Sequence, residues 1–190
     1  CLLLVLLVSP CIAGVRTYLL VGGAFSSLSF APDPEDELGI RTGIHAGLGG
    51  EVDFTDRLAA ALEISTVGRG ASVNGGDEDD PRLELQYLTV PVLLKIRFPN
   101  RSGAIQWWYA GAGPRLDLLM NDGKIRPDWA VSDFEGTGFG LDACVGSDMG
   151  FMFGEIRYSH CFMPVYDSGA AEGRSSTVSV LIGIAFWGAS

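Results

Sequence analysis

The stretch Gly39-Ile40-Arg41-Thr42-Gly43-Ile44-His45-Ala46-Gly47-Leu48-Gly49-Gly50-Glu51-Val52-Asp53-Phe54 alternates in character along its whole length. Even positions carry Ile40, Thr42, Ile44, Ala46, Leu48, Gly50, Val52 and Phe54, while odd ones include Arg41, His45, Glu51 and Asp53. Successive side chains of a strand point to opposite faces, so this is one long strand with an apolar and a charged face. Four more segments repeat the pattern. Leu58, Ala60, Leu62 and Ile64 oppose Glu63 and Arg69; Leu88, Val90, Val92, Leu94, Ile96 and Phe98 oppose Lys95 and Arg97. Trp108, Ala110, Ala112, Leu116, Leu118 and Met120 oppose Arg115 and Asp117, and Val178 to Phe186 alternates with Ser179, Gly183 and Ala185. An ordinary sandwich strand is only ~5–6 residues long, so these runs point elsewhere.

The connections alternate too. Long polar ones fall near Ala31–Leu38, Asn74–Pro81, Asn121–Phe134 and Val165–Arg174; short ones fall near Thr55–Arg57, Pro99–Gly103 and Met149–Phe151. Together they delimit eight strands with both termini at the short-turn end, the layout of an all-β, eight-stranded antiparallel up-and-down transmembrane β-barrel. Closure pairs every strand edge, so no backbone polar group is left unsatisfied in hydrocarbon. Pro91 and Pro114 each remove a ladder donor from a strand interior, and a bulge or kink is expected at both.

Two further boundaries come from composition. Residues Leu2 to Val8 are almost all Leu and Val, followed by Ser9-Pro10-Cys11-Ile12-Ala13-Gly14, which reads as the apolar and cleavage regions of a secretory signal. The expected division is a partial signal peptide over 1–14 and a barrel domain over 15–190. With 13 Lys and Arg against 23 Asp and Glu, the formal charge is −10, which leaves too few cations for a nucleic-acid footprint. Beyond the signal only Cys144 and Cys161 remain. They have the same parity on consecutive strands about four residues out of register, roughly 13 Å apart, too far to bond unless the intervening turn is displaced toward Gly154.

Which face lies inside separates two kinds of barrel. In a secreted soluble, lipocalin-like barrel that binds an apolar ligand, the apolar face is inside; in a membrane barrel it faces lipid. The charged face carries Arg41, Glu51, Asp53, Glu63, Lys95, Arg97, Arg115, Asp117, Asp142, Glu155 and Arg157 among many glycines, with signs nearly balanced. Small residues and compensating charges suit a narrow lumen, where each buried charge needs a partner. The expected partners are outer-membrane lipid, the barrel-insertion machinery and a protein or surface polysaccharide meeting the outside loops; no cofactor and no metal is expected.

The segment Tyr87-Leu88-Thr89-Val90-Pro91-Val92-Leu93-Leu94-Lys95 and the following Tyr109-Ala110-Gly111-Ala112-Gly113-Pro114-Arg115 resemble the signature of PorT-like outer-membrane β-barrel proteins. Tyr87, Pro91, Lys95, Gly111, Gly113 and Pro114 carry the likeness, and Gly43–Val52 and Glu63-Ile64-Ser65 are similar to the second and third strands of that family. The resemblance implies a barrel in the outer membrane of a Gram-negative bacterium, with some members linked to secretion machinery and most without an assigned activity. Where insertion signals of such barrels end on an aromatic residue, Phe186 and Trp187 here are followed by Gly188, Ala189 and Ser190.

An alternative on the same barrel is a lipid-A-modifying hydrolase. Ser159 and His160 are adjacent, so on a strand they face opposite ways and do not form a nucleophile–base pair. His160 has lipid-facing parity near a strand end, an interfacial place; His45 has lumen parity and is expected to be hydrogen-bonded there. The run Asp77-Glu78-Asp79-Asp80 lacks the spacing of a calcium loop and reads as a solvated loop tip. Gly111-Ala112-Gly113 and Gly136-Thr137-Gly138 complete no phosphate-loop pattern and read as close-packed strand glycines. Trp107, Trp108, Tyr109, Phe151, Phe153, Phe162 and Trp187 lie near strand ends, where membrane barrels place aromatic girdles.

Overall fold

A computed structural model describes residues 14–31, 38–73, 82–100, 103–122, 136–163, 166–167 and 172–187. The strands are β1 (Val15–Ala31), β2 (Leu38–Asp53), β3 (Leu58–Val73), β4 (Arg82–Pro99), β5 (Trp107–Asp122), β6 (Thr137–Asp148), β7 (Met152–Cys161), β8 (Tyr166–Asp167) and β9 (Glu172–Trp187). From β1 to β7 each pairs antiparallel with the next, β7 and β8 both pair with β9, and β1 pairs with β9 to close the sheet. Eight long strands therefore form the wall. The two-residue β8 continues the seventh wall strand after a break at Cys161, pairing Tyr166 with Gly173, so much of the expected connection Val165–Arg174 is ladder. The signal-like residues 1–13 and the run Asp77–Asp80 lie outside the described residues.

The register fixes the shape. Stepping straight across the strands from Val15 leads through Val52, Ala60, Leu94, Ala112, Ala143, Tyr158 and Val178 back to β1 at Phe25, ten residues further on. With ~3.3 Å per residue and ~4.8 Å between strands, ten residues over eight strands tilt each strand by about 41°. Val15 and Phe25 thus stand about 25 Å apart along the axis, the height of an outer-membrane apolar band.

The exterior of that band is apolar. Leu19, Val21, Ile44, Leu48, Val92, Leu94, Ile96, Val145, Ile156, Val180, Ile182 and Ile184 all have exposed side chains, and every one takes outward parity. The opposite parity is buried and polar, including Glu63, Arg115, Asp117, Asp142 and Arg157 at 0–2% exposure. A soluble barrel with an apolar interior is the reverse of this arrangement, and that alternative is set aside.

Two expectations are corrected. The registers of β3–β4 and β4–β5 run on unshifted past Pro91 and Pro114, with only the ladder pairs around them missing. One lost donor leaves a gap that the ladder on both sides holds in register. The shifts lie instead at Gln86/Tyr87 in β4–β5 and between Ile40 and His45 in β2–β3. The aromatic reading divides: Trp108, Phe151 and Phe162 are exposed, but Tyr109 and Phe153 turn inward and are buried.

Those inward rings explain three glycines. Tyr18, Tyr109 and Phe153 are cross-strand partners of Gly49, Gly146 and Gly183. A Cβ on Gly183 would stand 2.0 Å from Phe153 Cζ, one on Gly146 2.3 Å from Tyr109 Cζ, and one on Gly49 2.5 Å from Tyr18 Cζ. Each ring lies across bare backbone, and no larger residue fits beneath it.

Candidate functional site: a column of alternating charge in the lumen

The inward charges form one path. Asp53 meets Arg97 at 2.8 Å, Arg97 also pairs with Glu51, and Glu51 lies 3.1 Å from Lys95 Nζ. Lys95 reaches Glu155 at 3.9 Å, and Glu155 accepts from Arg157 at 2.5 Å. Arg157 stands 3.8 Å from Asp142, which accepts from Arg115 Nη1 at 2.5 Å. Arg115 Nε lies 2.8 Å from Asp117 without directing its N–H at it, and Asp117 accepts from Arg69 Nη1 at 2.7 Å. Sign alternates at every step from Asp53 to Arg69. Glu63 branches from Arg157 at 2.5 Å, and Arg16 pairs with Asp148 at the short-turn end.

Alternation is what burial demands. An ionised group out of water costs several kcal/mol unless an opposite charge and hydrogen bonds compensate it, and here each interior member has an opposite charge on either side. Neutral groups supply the remaining bonds: the Tyr18 hydroxyl donates to Glu63 at 2.6 Å and that of Tyr109 to Glu155 at 2.9 Å. Lys95 Nζ also sits over the rings of Tyr109, Tyr18 and Phe153, 5.0–5.8 Å from their centroids, an added attraction for a desolvated cation.

Toward the long-loop end, His45 is held between Ser179 Oγ at 3.0 Å and Ser65 Oγ at 3.1 Å, with Ser65 bonded to Thr89 at 2.7 Å. This is a satisfied buried histidine. A void of about 10 Å³ lies between Lys95 and Arg16, room for a single water, and below it a mouth of about 480 Å³ opens between Asp53, Asp56, Gln106 and Trp107.

Of the charges that alternation assigns to the lumen, Glu51, Asp53, Glu63, Lys95, Arg97, Arg115, Asp117, Asp142, Glu155 and Arg157 all join this network, and Arg41 is half-buried with the same inward parity opposite Ser26. Three more belong with them. Arg69 shares the polar parity of β3 and ends the column. Arg16 hides in a strand whose two faces are both apolar, since Tyr18 and Leu20 point in while Leu19 and Val21 point out. Asp148 reads as a turn residue, and only the register shows it opposite Trp107.

The motif residues of β4 and β5 mostly face the same lumen. Tyr87 stacks its ring under Arg69 at 5.0 Å, Pro91 is buried, and a Cβ on Gly111 would press on Lys95 Cγ at 3.0 Å and Cys144 Sγ at 3.1 Å. Pro114 alone points out. Cys144 pairs with Arg157 in the ladder and Cys161 with Gly140, four residues away, and both thiols are free and buried.

The family model of the outer membrane protein beta-barrel domain matches residues 14–167. The chain belongs to that family. This outer-membrane barrel is similar in fold to the crystal structure of the outer membrane protein OprG from Pseudomonas aeruginosa, at 14% identity and TM-score 0.56, with 92% of this chain and 97% of that one covered. It is also similar to Neisserial surface protein A, NspA, at 13% identity and TM-score 0.55, with 90% and 97% covered. No curated protein matches it in sequence. The outer-membrane barrel thus lies in the bacterial outer membrane, its apolar wall in contact with lipid.

One Ser–His contact lies on the outside of the wall. His160 Nδ1 is 3.0 Å from Ser176 Oγ across the β7–β9 ladder, a pairing that only the register shows. Among the described residues no carboxylate contacts His160.

Proposed function

We propose that this outer-membrane barrel is a closed, non-enzymatic envelope protein: the lumen column is a structural plug, and the segments at the outer end present a surface to a cationic partner. The observation that carries the first half is the unbroken alternation of paired charges from Asp53 to Arg69, which gives each charge of the column an opposite charge in contact.

Charge bookkeeping by position supports the second half. Seven cations and seven carboxylates point into the lumen: Arg16, Arg41, Arg69, Lys95, Arg97, Arg115 and Arg157 against Glu51, Asp53, Glu63, Asp117, Asp142, Asp148 and Glu155. The short turns carry Asp56 against Arg57 and Arg101. The other fifteen carboxylates and four cations fall in sequence between Asp33 and Glu37, Asp77 and Glu84, Asp122 and Glu135, and Asp167 and Arg174, segments that join strands at the long-loop end. That end therefore carries −11 against +1 at the short turns, which favours a basic protein over an anionic polysaccharide.

The PorT-like kinship, and with it a link to secretion or envelope structure, rests on Tyr87, Pro91, Lys95, Gly111, Gly113 and Pro114. The hydrolase alternative has Ser176 and His160 in its favour, but among the described residues no carboxylate hydrogen-bonds the imidazole. Planar-bilayer recording on the folded full chain tests the plug: no ion conductance above the bare membrane is expected, and a steady ohmic current would overturn it.

A further inference from the structure

On the outer wall, the cross-strand row Phe25–Val178–Tyr158 is followed toward the long-loop end by a row of another kind, Ser27–Ser176–His160. The Tyr158 hydroxyl donates to Ser176 Oγ at 3.4 Å, on the same oxygen that His160 meets. The rings gather round it: Tyr158 stacks on His160 at 6.4 Å and 15°, Phe162 meets His160 edge-on at 5.4 Å, and Phe139 tilts against Phe162 at 6.4 Å. One step further Ser29 pairs with Arg174, whose side chain is exposed on the same wall.

Height identifies what this sector meets. Phe25 stands about 25 Å above Val15, the full apolar band, so Ser27, Ser176 and Arg174 lie at the headgroups of the outer leaflet. The wall across the barrel stays apolar there, with exposed Leu116 and Met120.

We propose that this sector binds the phosphorylated sugar headgroup of an outer-leaflet glycolipid. The Tyr158, His160 and Phe162 rings take the apolar face of a sugar, and the hydroxyls of Ser27 and Ser176 meet its hydroxyls. Arg174 takes a phosphate, for which a guanidinium offers paired donors. The reading rests on the outer-membrane location and not on the closed lumen, so a conducting barrel would leave it standing.

Native mass spectrometry of the full chain released from detergent micelles tests it, with bisphosphorylated lipid A, dephosphorylated lipid A and phosphatidylglycerol as probes. Wild type should prefer bisphosphorylated lipid A. Arg174→Gln should bind it about tenfold more weakly and lose the preference for phosphate, the scale of one charge-assisted hydrogen bond. Tyr158→Leu with His160→Leu should weaken both forms of lipid A, while Leu116→Ser across the barrel should change nothing. All variants should keep the heat-dependent gel shift of a folded barrel. Equal binding by wild type and Arg174→Gln, or equal affinity for phosphatidylglycerol, would overturn the proposal. Loss of an acyl chain's mass from the bound lipid would replace it with hydrolysis at Ser176.

Discussion

Arg157 and Glu63, 94 residues apart in sequence, face each other across the lumen at 2.5 Å, each with a side chain 1% exposed. The same guanidinium donates to Glu155 through Nε and Nη2 and stands 3.8 Å from Asp142. Three carboxylates from three strands converge on one cation, which makes Arg157 the residue on which the column depends most.

Arg157→Met should therefore cost about 3–5 kcal/mol, because it leaves buried carboxylates unpaired. Lys95→Met should cost less, since Glu51 keeps Arg97 and Glu155 keeps Arg157. Combining Arg157→Met with Glu63→Gln should recover part of the loss. Urea unfolding in lipid vesicles, followed by gel mobility, measures all three; equal losses for Arg157→Met and Lys95→Met would contradict the branched network.

Gly183→Ala should destabilise the barrel by about 1–3 kcal/mol, because the added methyl overlaps the Phe153 ring. Phe153→Leu in the same chain should relieve the clash. The same unfolding assay decides: an additive loss in the double variant would show that the ring and the glycine are not in contact.

Cys144 and Cys161 should be free thiols, protected in the folded barrel. Maleimide should label neither in folded protein and both after unfolding without reductant. A disulfide would appear as failure to label the unfolded, unreduced chain.

Much of this was legible before the structure. Alternation over Gly39–Phe54 and Leu88–Phe98 specifies long strands, and the spacing of long and short connections specifies their number and direction. Most members of the lumen network follow from parity, because a charge in lipid and a charge in a narrow lumen differ so much in cost. Pairing does not follow. That Arg157 meets Glu63, 94 residues away, as well as Glu155 beside it depends on the ten-residue stagger, a property of the closed sheet that no single segment records. Arg16 escapes because both faces of β1 are apolar, and Tyr109 and Phe153 because an aromatic near a strand end suits either a girdle or a glycine beneath it.

A membrane barrel requires the apolar face of each strand to meet lipid. A nitroxide placed in turn at each position from Val178 to Phe186, in full-length protein carrying Cys144→Ser and Cys161→Ser and folded in lipid vesicles, reads this through its collision rate with oxygen. Accessibility to oxygen should peak at the even positions 178, 180, 182, 184 and 186 and fall at the odd ones between them. Peaks at 179, 181, 183 and 185 would place the charges outside and the apolar side chains within, and would contradict the membrane barrel described here.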